Sequence, residues 1–397
     1  MIETRKYSSL PVRAQPVLPI ELVFGPEIPS GVRPFPLGAP ETILTYSGTA
    51  AVYQAFRTLP LERGSTVLCP SYNCGHEIEP LTRLGLRVEC YRITTDLEID
   101  MEDVEKRMRS GARALLVTHY FGFAQPLAAL RALCDRHGAY LVEDCAHAFL
   151  SDNAEGNLGR VGDAAIYSMR KTLPLPNGGA VIFNNPSLRM SGALQPPPRL
   201  TTWLKSLDLI GKAVWDRFSA RRSPRDLLWL LMLAPLVAGG RAIRALDPRG
   251  SIRCYDPDDE DFRFGIEIMG WGISRFSLRL LRKLAWSDAI GRRRSNYRSL
   301  ALALAGVEGC RVMLPELPEH VCPLYLPVWV EQPIDACRKL ARQRIYAAAL
   351  WHHEHPAVDW ERFPEARALK RHVLVLPVHQ DVDTEQLERM VTVLRAQ

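Results

Sequence analysis

Between about residues 45 and 184, short unbroken apolar runs alternate with segments of helical spacing. The runs STVLCP (65–70), LRVECYRI (86–93), ALLVTHYFG (114–122), AYLVEDCA (139–146), AAIYSM (164–169) and GAVIFN (179–184) read as strands. Near-continuous rather than alternating apolar character means that both faces of such strands are buried. SGTAAVYQAFRTL (47–59), EIEPLTRLG (77–85), MEDVEKRMRS (101–110) and PLAALRALCDRHG (126–138) lie between them and read as helices, the last ending at Gly138. Strands and helices in alternation predict an α/β fold whose mostly parallel central sheet is flanked by helices.

Outside that block the rhythm changes. Residues 1–40 are proline-rich and weakly periodic, which predicts an extended N-terminal arm. Residues 186–265 interrupt the pattern with PPP, a basic stretch and LLWLLMLAPLVAGG (227–240). Residues 276–305 read as one long helix. HVLVLPVHQDVDTEQLERMVTVLRAQ reads as a strand, a loop and a terminal helix with Asp383 as N-cap. These shifts predict a large α/β domain over 41–265, with an insertion at about 186–265, and a smaller α+β domain over 266–397.

Composition narrows the class. With 47% hydrophobic and 24% charged residues the chain is globular rather than disordered. No apolar run reaches the ~18 residues that span a bilayer. The start has no apolar core of a secretory signal, so a cytoplasmic protein is expected. Nine cysteines without a CxxC pair indicate neither a disulfide framework nor a metal module. The net charge of +6 is mild, and nearly all of the positive charge is arginine. The densest basic cluster, GRRRSNYR (291–298), follows helical spacing and reads as a solvated helix face, so no nucleic-acid partner is expected.

Ligands of open parallel sheets bind beyond the carboxyl ends of the strands, so reactive residues following the apolar runs carry the chemistry. SGTAA opens a helix whose N–H groups and Thr49 hydroxyl suit a phosphate, although Ser/Gly/Thr is also ordinary capping. Asp144 ends a strand-like run, where an acid serves either catalysis or structure, and His147 follows three residues later. Lys171 sits between a strand and a stiff turn closing on Gly178 and Gly179, a setting for an amine nucleophile or for an exposed loop lysine. Taken in order, a Gly–Thr helix start, a strand-end acid, and a serine and lysine before a Gly–Gly strand are what pyridoxal 5'-phosphate (PLP) requires. That cofactor needs a phosphate cradle, a carboxylate for its ring nitrogen and an amine for its aldehyde.

The blocks SGTAAV, LCPSYN, VTHYFG, LVEDCAHA, GDAAIYSMRK with PNGGAVIF, RRRSNYRSL and LPVHQDVDTEQLERMV resemble the DegT/DnrJ/EryC1/StrS family of PLP-dependent sugar aminotransferases. The resemblance implies the PLP-dependent transferase fold type I and a homodimer. It implies that Lys171 holds the cofactor covalently and shuttles a proton, with Asp144 as partner of the ring nitrogen. His147 is expected near the ring's 3-hydroxyl, Thr49, Ala50 and Ser168 at the phosphate, and Arg275 as an arginine supplied across the dimer. The chain departs from the family in three places. Ser168 and Lys171 are three residues apart rather than five, Asn177 replaces a glutamate before the glycine pair, and Cys74 replaces a ring-stacking aromatic, leaving Tyr72 or His76 to stack. Because Lys171 is present, the family's dehydratase branch is disfavoured. The implied reaction moves an amino group from a small-molecule donor, glutamate, to a keto group of a nucleotide-linked sugar. The rivals are a non-sugar ketone acceptor and a non-catalytic regulator or scaffold of the same fold. Within the insertion, a basic segment with tryptophans leads into an apolar run at 215–238 that suits either packing on protein or peripheral contact with a membrane.

Overall fold

The computed structural model describes residues 10–28, 33–156, 158–245 and 266–396. In chain order its first half contains β1 (Val12–Arg13), α1 (Ile20–Phe24), β2 (Ile43–Thr45), α2 (Gly48–Thr58), β3 (Thr66–Pro70), α3 (Ile78–Arg83), β4 (Arg87–Tyr91), α4 (Met101–Arg109) and β5 (Ala114–Thr118). These are followed by α5 (Leu127–His137), β6 (Tyr140–Asp144), β7 (Ala164–Ser168), a one-turn α6 (Met169–Thr172) and β8 (Gly179–Phe183). Seven strands form one sheet in the order β2-β8-β7-β6-β5-β3-β4. The links among β3–β7 are parallel, while β8 pairs antiparallel with both β7 and β2. The predicted α/β class with a mostly parallel sheet is therefore what the chain adopts.

Both faces of the sheet are covered. Leu115, Val117 and Leu141 pack with Val104 and Met108 of α4 and with Leu130 and Leu133 of α5. Their neighbours Ala114, Leu116 and Val142 point to the other face and meet Val52, Ala55 and Phe56 of α2. Alternate residues of one strand thus enter two different cores, which is why the runs lack polar positions.

The second half contains α7 (Arg199–Arg221), α8 (Pro224–Ala245), α9 (Arg275–Leu281), α10 (Trp286–Leu304), β9 (Cys310–Val312), β10 (Tyr325–Val330), α11 (Pro333–Arg342), β11 (Ile345–Tyr346), β12 (Ala348–Ala349), α12 (Pro364–His372), β13 (Val373–Pro377) and α13 (Thr384–Arg395). A four-stranded antiparallel sheet, β12-β13-β10-β9, packs Leu326, Val328, Leu374 and Leu376 against Tyr297, Leu300 and Leu304 of α10 and Leu387, Met390 and Leu394 of α13. Asp383 caps α13 in a reciprocal box with Gln386, as the local D-x-x-Q spacing predicts. Among the described residues no helix is long and apolar enough to cross a membrane.

Three expectations need amendment. The single helix expected over 276–305 is two, because the chain turns at Arg282–Ala285 and Lys283 Nζ donates to the Val23 carbonyl at 2.8 Å. The arm is not purely extended: β1 pairs in parallel with β11, α1 follows, and Arg13 grips Asp216 of α7 at 2.7 Å. The boundary expected near 265 and the last part of the insertion, 246–265, lie outside the described residues, as do residues 1–9 of the arm.

Candidate active site

The start of α2 is built against the ends of β7 and β8. Ser47 is extended and its Oγ accepts the Ala50 N–H at 3.2 Å, capping the helix. A Cβ on Gly179 would stand 2.3 Å from the Ser47 carbonyl, and one on Gly48 would stand 2.9 Å from Ser168 Cβ. Only glycines allow these approaches, and they bring the helix N-terminus onto Ser168. One cleft results, lined by Ser47, Gly48, Thr49, Asp144, Ser168 and Lys171, among others. Of the expected phosphate residues, Thr49 and Ser168 face it. Ala50 is not among the residues lining it, and its N–H donates to Ser47 Oγ of the helix's own cap.

Asp144 ends β6 and is only 7% exposed. Its Oδ1 accepts the Ala146 N–H at 2.8 Å. Burial raises its pKa to about 6, and the nearby Lys171 charge only partly opposes that shift. This buried carboxylate therefore favours a cationic partner beyond the one hydrogen bond it has. Lys171 lies on α6, whose Met169 N–H donates to the Gly178 carbonyl at 3.1 Å. From the other side Arg293 Nη2 donates to the Thr172 carbonyl at 2.8 Å. The reading of 291–298 as a solvated face thus fails at Arg293, which is 1% exposed. Its other bonds go to the carbonyls of Pro323 and Leu324 and to the Gln380 side chain. Helical spacing alone carries no sign of those distant acceptors.

Asn177 faces away from the cleft. Its Oδ1 accepts the Ser274 N–H at 2.9 Å and the Ser277 hydroxyl at 3.1 Å, fixing the start of α9. Arg275 begins that helix, is exposed, and does not line the cleft of its own chain.

The facing wall follows β3. Asn73 turns the chain by donating to the Pro70 carbonyl at 2.8 Å and accepting the Gly75 N–H at 3.0 Å, so that Cys74, His76 and Glu77 line the cleft. The Cys74 thiol donates to Glu77 Oε2 at 2.7 Å. Burial depresses the His76 pKa to about 3, so this ring is neutral. Tyr72, expected to stack, is instead fully buried behind the wall, with its ring 4.8 Å from that of Trp351 and 5.6 Å from that of Tyr120. His147 lies in the same aromatic group, 5.1 Å from the Trp351 ring. Burial and the Lys171 charge hold its pKa well below the usual histidine value, and its Nδ1 accepts the Phe121 N–H, leaving the proton on Nε2.

Sequence reasoning missed Arg170, Glu77, Trp351 and a second lysine. Lys370 Nζ donates to the carbonyls of Asn73, Trp351 and His353 at 2.7–2.8 Å, and burial lowers its pKa to about 8. Only the fold brings this lysine next to the wall. His119, Glu143 and Cys145 also meet. The Glu143 oxygens, however, accept the N–H groups of Gly159, Val161 and Gly162, which makes this group a clasp for that loop.

Known proteins resemble the part of the chain that builds this cleft. Residues 36–193, which supply every residue lining the cleft, match the DegT/DnrJ/EryC1/StrS aminotransferase family. The resemblance seen in the sequence therefore holds over that segment, and DegT-family aminotransferases depend on PLP. GDP-perosamine synthase of Vibrio cholerae is 30% identical over 142 residues, 35% of this chain and 39% of that protein. L-glutamine:2-deoxy-scyllo-inosose aminotransferase of Streptoalloteichus tenebrarius is 31% identical over 156 residues, 38% of this chain and 36% of that protein. The matched part thus spans less than two fifths of these relatives. The PLP-form structure of Spr1654 from Streptococcus pneumoniae superposes with a TM-score of 0.61, covering 90% of this chain and 86% of that one at 14% identity. At that identity the likeness shows the shared fold.

Proposed function

We propose that this chain is a PLP-dependent aminotransferase that moves an amino group from L-glutamate to a keto group of a nucleotide-linked sugar. The observation that carries the reading is the convergence of Thr49, Asp144, Ser168 and Lys171 on one cleft at the carboxyl ends of the strands. These residues fit the cofactor: the helix start is held open by Gly48, and the buried Asp144 favours a cation. Thr49, the free amides at the start of α2 and Ser168 would hold the phosphate on the positive end of the helix. Asp144 would face the ring nitrogen and keep it protonated. His147, neutral with its proton on Nε2, would donate toward the ring's 3-hydroxyl. When bound, PLP supplies the aldehyde that carries the amino group between substrates and a ring that draws off electron density. Lys171 is the amine that would anchor it and then move a proton at the donor's Cα.

In this reading residues 41–265 carry the cofactor and 266–397 form the smaller domain. The enzyme works in the cytoplasm as a homodimer, with exposed Arg275 offered to the second copy's cleft. The family match supports a keto-sugar acceptor, as the name of GDP-perosamine synthase suggests, while the inosose aminotransferase keeps a cyclitol ketone as the second reading. The test is a visible-edge absorbance band on the PLP-loaded protein that shifts when glutamate is added and returns with the acceptor. A band unmoved by any amino donor would reject the aminotransferase in favour of a scaffold. Return with inosose-type ketones but with no nucleotide-linked keto sugar would reject the sugar acceptor alone.

A further inference from the structure

Away from the cleft, α8 is apolar on every side from Leu227 to Gly240, whereas a helix at a protein surface normally confines its apolar residues to one stripe. Its inner side, with Leu230, Leu233 and Val237, faces α7 across an apolar cleft of about 590 Å³. Its outer side is bare: Leu228, Leu231 and Met232 are 60%, 63% and 58% exposed, and Leu227 and Leu236 extend the same stripe at helical spacing. Phe24 stacks on Trp229 at 6.2 Å and widens the patch. A contiguous apolar surface of this kind marks an interaction site.

The charges around the patch identify what it meets. Arg222 and Arg225 stand exposed where α8 begins, and the sequence places Arg241 and Arg244 just past the apolar stretch. The nearby acids are occupied: Arg217 pairs with Glu21 and Asp226, Arg13 with Asp216, and Lys212 with Asp208. In a two-fold dimer with its axis along α8 the patch would meet itself, and Arg222 and Arg225 would face their own copies. An anionic bilayer satisfies both parts, with acyl chains under the stripe and phosphate headgroups at its ends. The apolar stretch of α8, Leu227–Gly240, covers only about 21 Å of helix, too short to cross the hydrocarbon core, so α8 lies along such a surface rather than through it.

We propose that α8 docks this protein on the surface of an anionic lipid bilayer, its Leu228–Leu236 face at the acyl boundary and Arg222 and Arg225 among the headgroups. The proposal does not depend on the aminotransferase reading. It is tested by flotation of the full chain with vesicles of mixed phosphatidylcholine and phosphatidylglycerol, or of phosphatidylcholine alone. The mixed vesicles are expected to bind about tenfold or more tightly than the neutral ones, with the difference shrinking at high salt. Combined Leu228→Gln, Leu231→Gln and Met232→Gln should weaken binding on the order of 100-fold. Arg222→Gln with Arg225→Gln should lower it on the order of tenfold on mixed vesicles alone, which keeps the test open if the triple variant loses helical circular dichroism. Absence of binding to mixed vesicles at low salt overturns the proposal, as does equal binding by a folded triple variant. A triple variant that falls from dimer to monomer in light scattering, when the parent binds no vesicles, would assign the face to a second copy instead.

Discussion

The start of α2 and the outer face of α8 both expose part of a helix, and they solve the problem of exposure in opposite ways. At α2 each group has an internal reason to be where it is: Ser47 caps, Gly48 admits Ser168, and Gly179 admits the Ser47 carbonyl. At α8 the outer side chains Leu228, Leu231 and Met232 stand more than half exposed, while the inner face packs toward α7. One region is fixed by its own packing and awaits a small ligand. The other is finished only by a surface. Substitutions should therefore act very differently in the two places.

The largest expected contrast is at Lys171. Lys171→Ala should remove all detectable turnover while the cofactor-free protein melts as before. Borohydride reduction of the loaded parent should label Lys171 and not Lys370, and peptide mass spectrometry distinguishes the two. A label on Lys370, or turnover in the variant, would move the site.

Asp144→Asn comes next. Losing the carboxylate opposite the ring nitrogen should slow turnover on the order of 10³-fold. Stability should move the other way. Because the folded carboxyl has its pKa raised to about 6 from an ordinary 3.8, the native state holds the proton more tightly than the unfolded chain. Its contribution is then fully present below pH 3.8 and lost as pH rises through about 6, on the order of 2–3 kcal/mol at neutral pH. The cofactor-free Asn variant should melt at or above the parent at pH 7, and thermal scans across pH 4–7 check the sign. A lower melting temperature at pH 7 would make Asp144 a structural cap.

Gly48→Ala is a third comparison. Its Cβ would press on Ser168, so a loss of about 1–3 kcal/mol with weaker PLP binding is expected, measured by denaturant titration and cofactor absorbance. The smallest effect belongs to α8, where single Leu231→Gln should shift stability by no more than about 0.5 kcal/mol. A loss at Leu231 as large as that at Gly48 would show that the outer face is held by internal contacts.

How much of this was legible follows from how local each determinant is. The strands of the main sheet could be read because residues on both faces are apolar, and Asp383 because its cap lies three residues away. Lys171 and Asp144 stood out because reactive types rarely follow such runs. Trp351 and Lys370 did not, since they meet Tyr72 and Asn73 only through contacts spanning nearly 300 positions. Nor could the sequence show that the Tyr72 ring packs on Tyr120 and Trp351. The break after α9 carries neither proline nor glycine, and the bond that Lys283 makes there reaches a carbonyl in the arm. The glycine pair was visible as a turn, but what presses on Gly179 was not.

The bond from Arg293 to the Thr172 carbonyl bears on the order in which the protein is made. Chains emerge N-terminus first, and domains fold as they appear. The main sheet can form once residue 183 is out, but the turn holding Lys171 lacks its brace until α10 follows more than 100 residues later. Until then the amine sits on a turn held from one side only, by the Met169 bond to Gly178. A chain stopped before Trp286 should accordingly show the sheet's circular dichroism yet hold PLP poorly. The second brace of the Lys171 turn thus arrives only with α10.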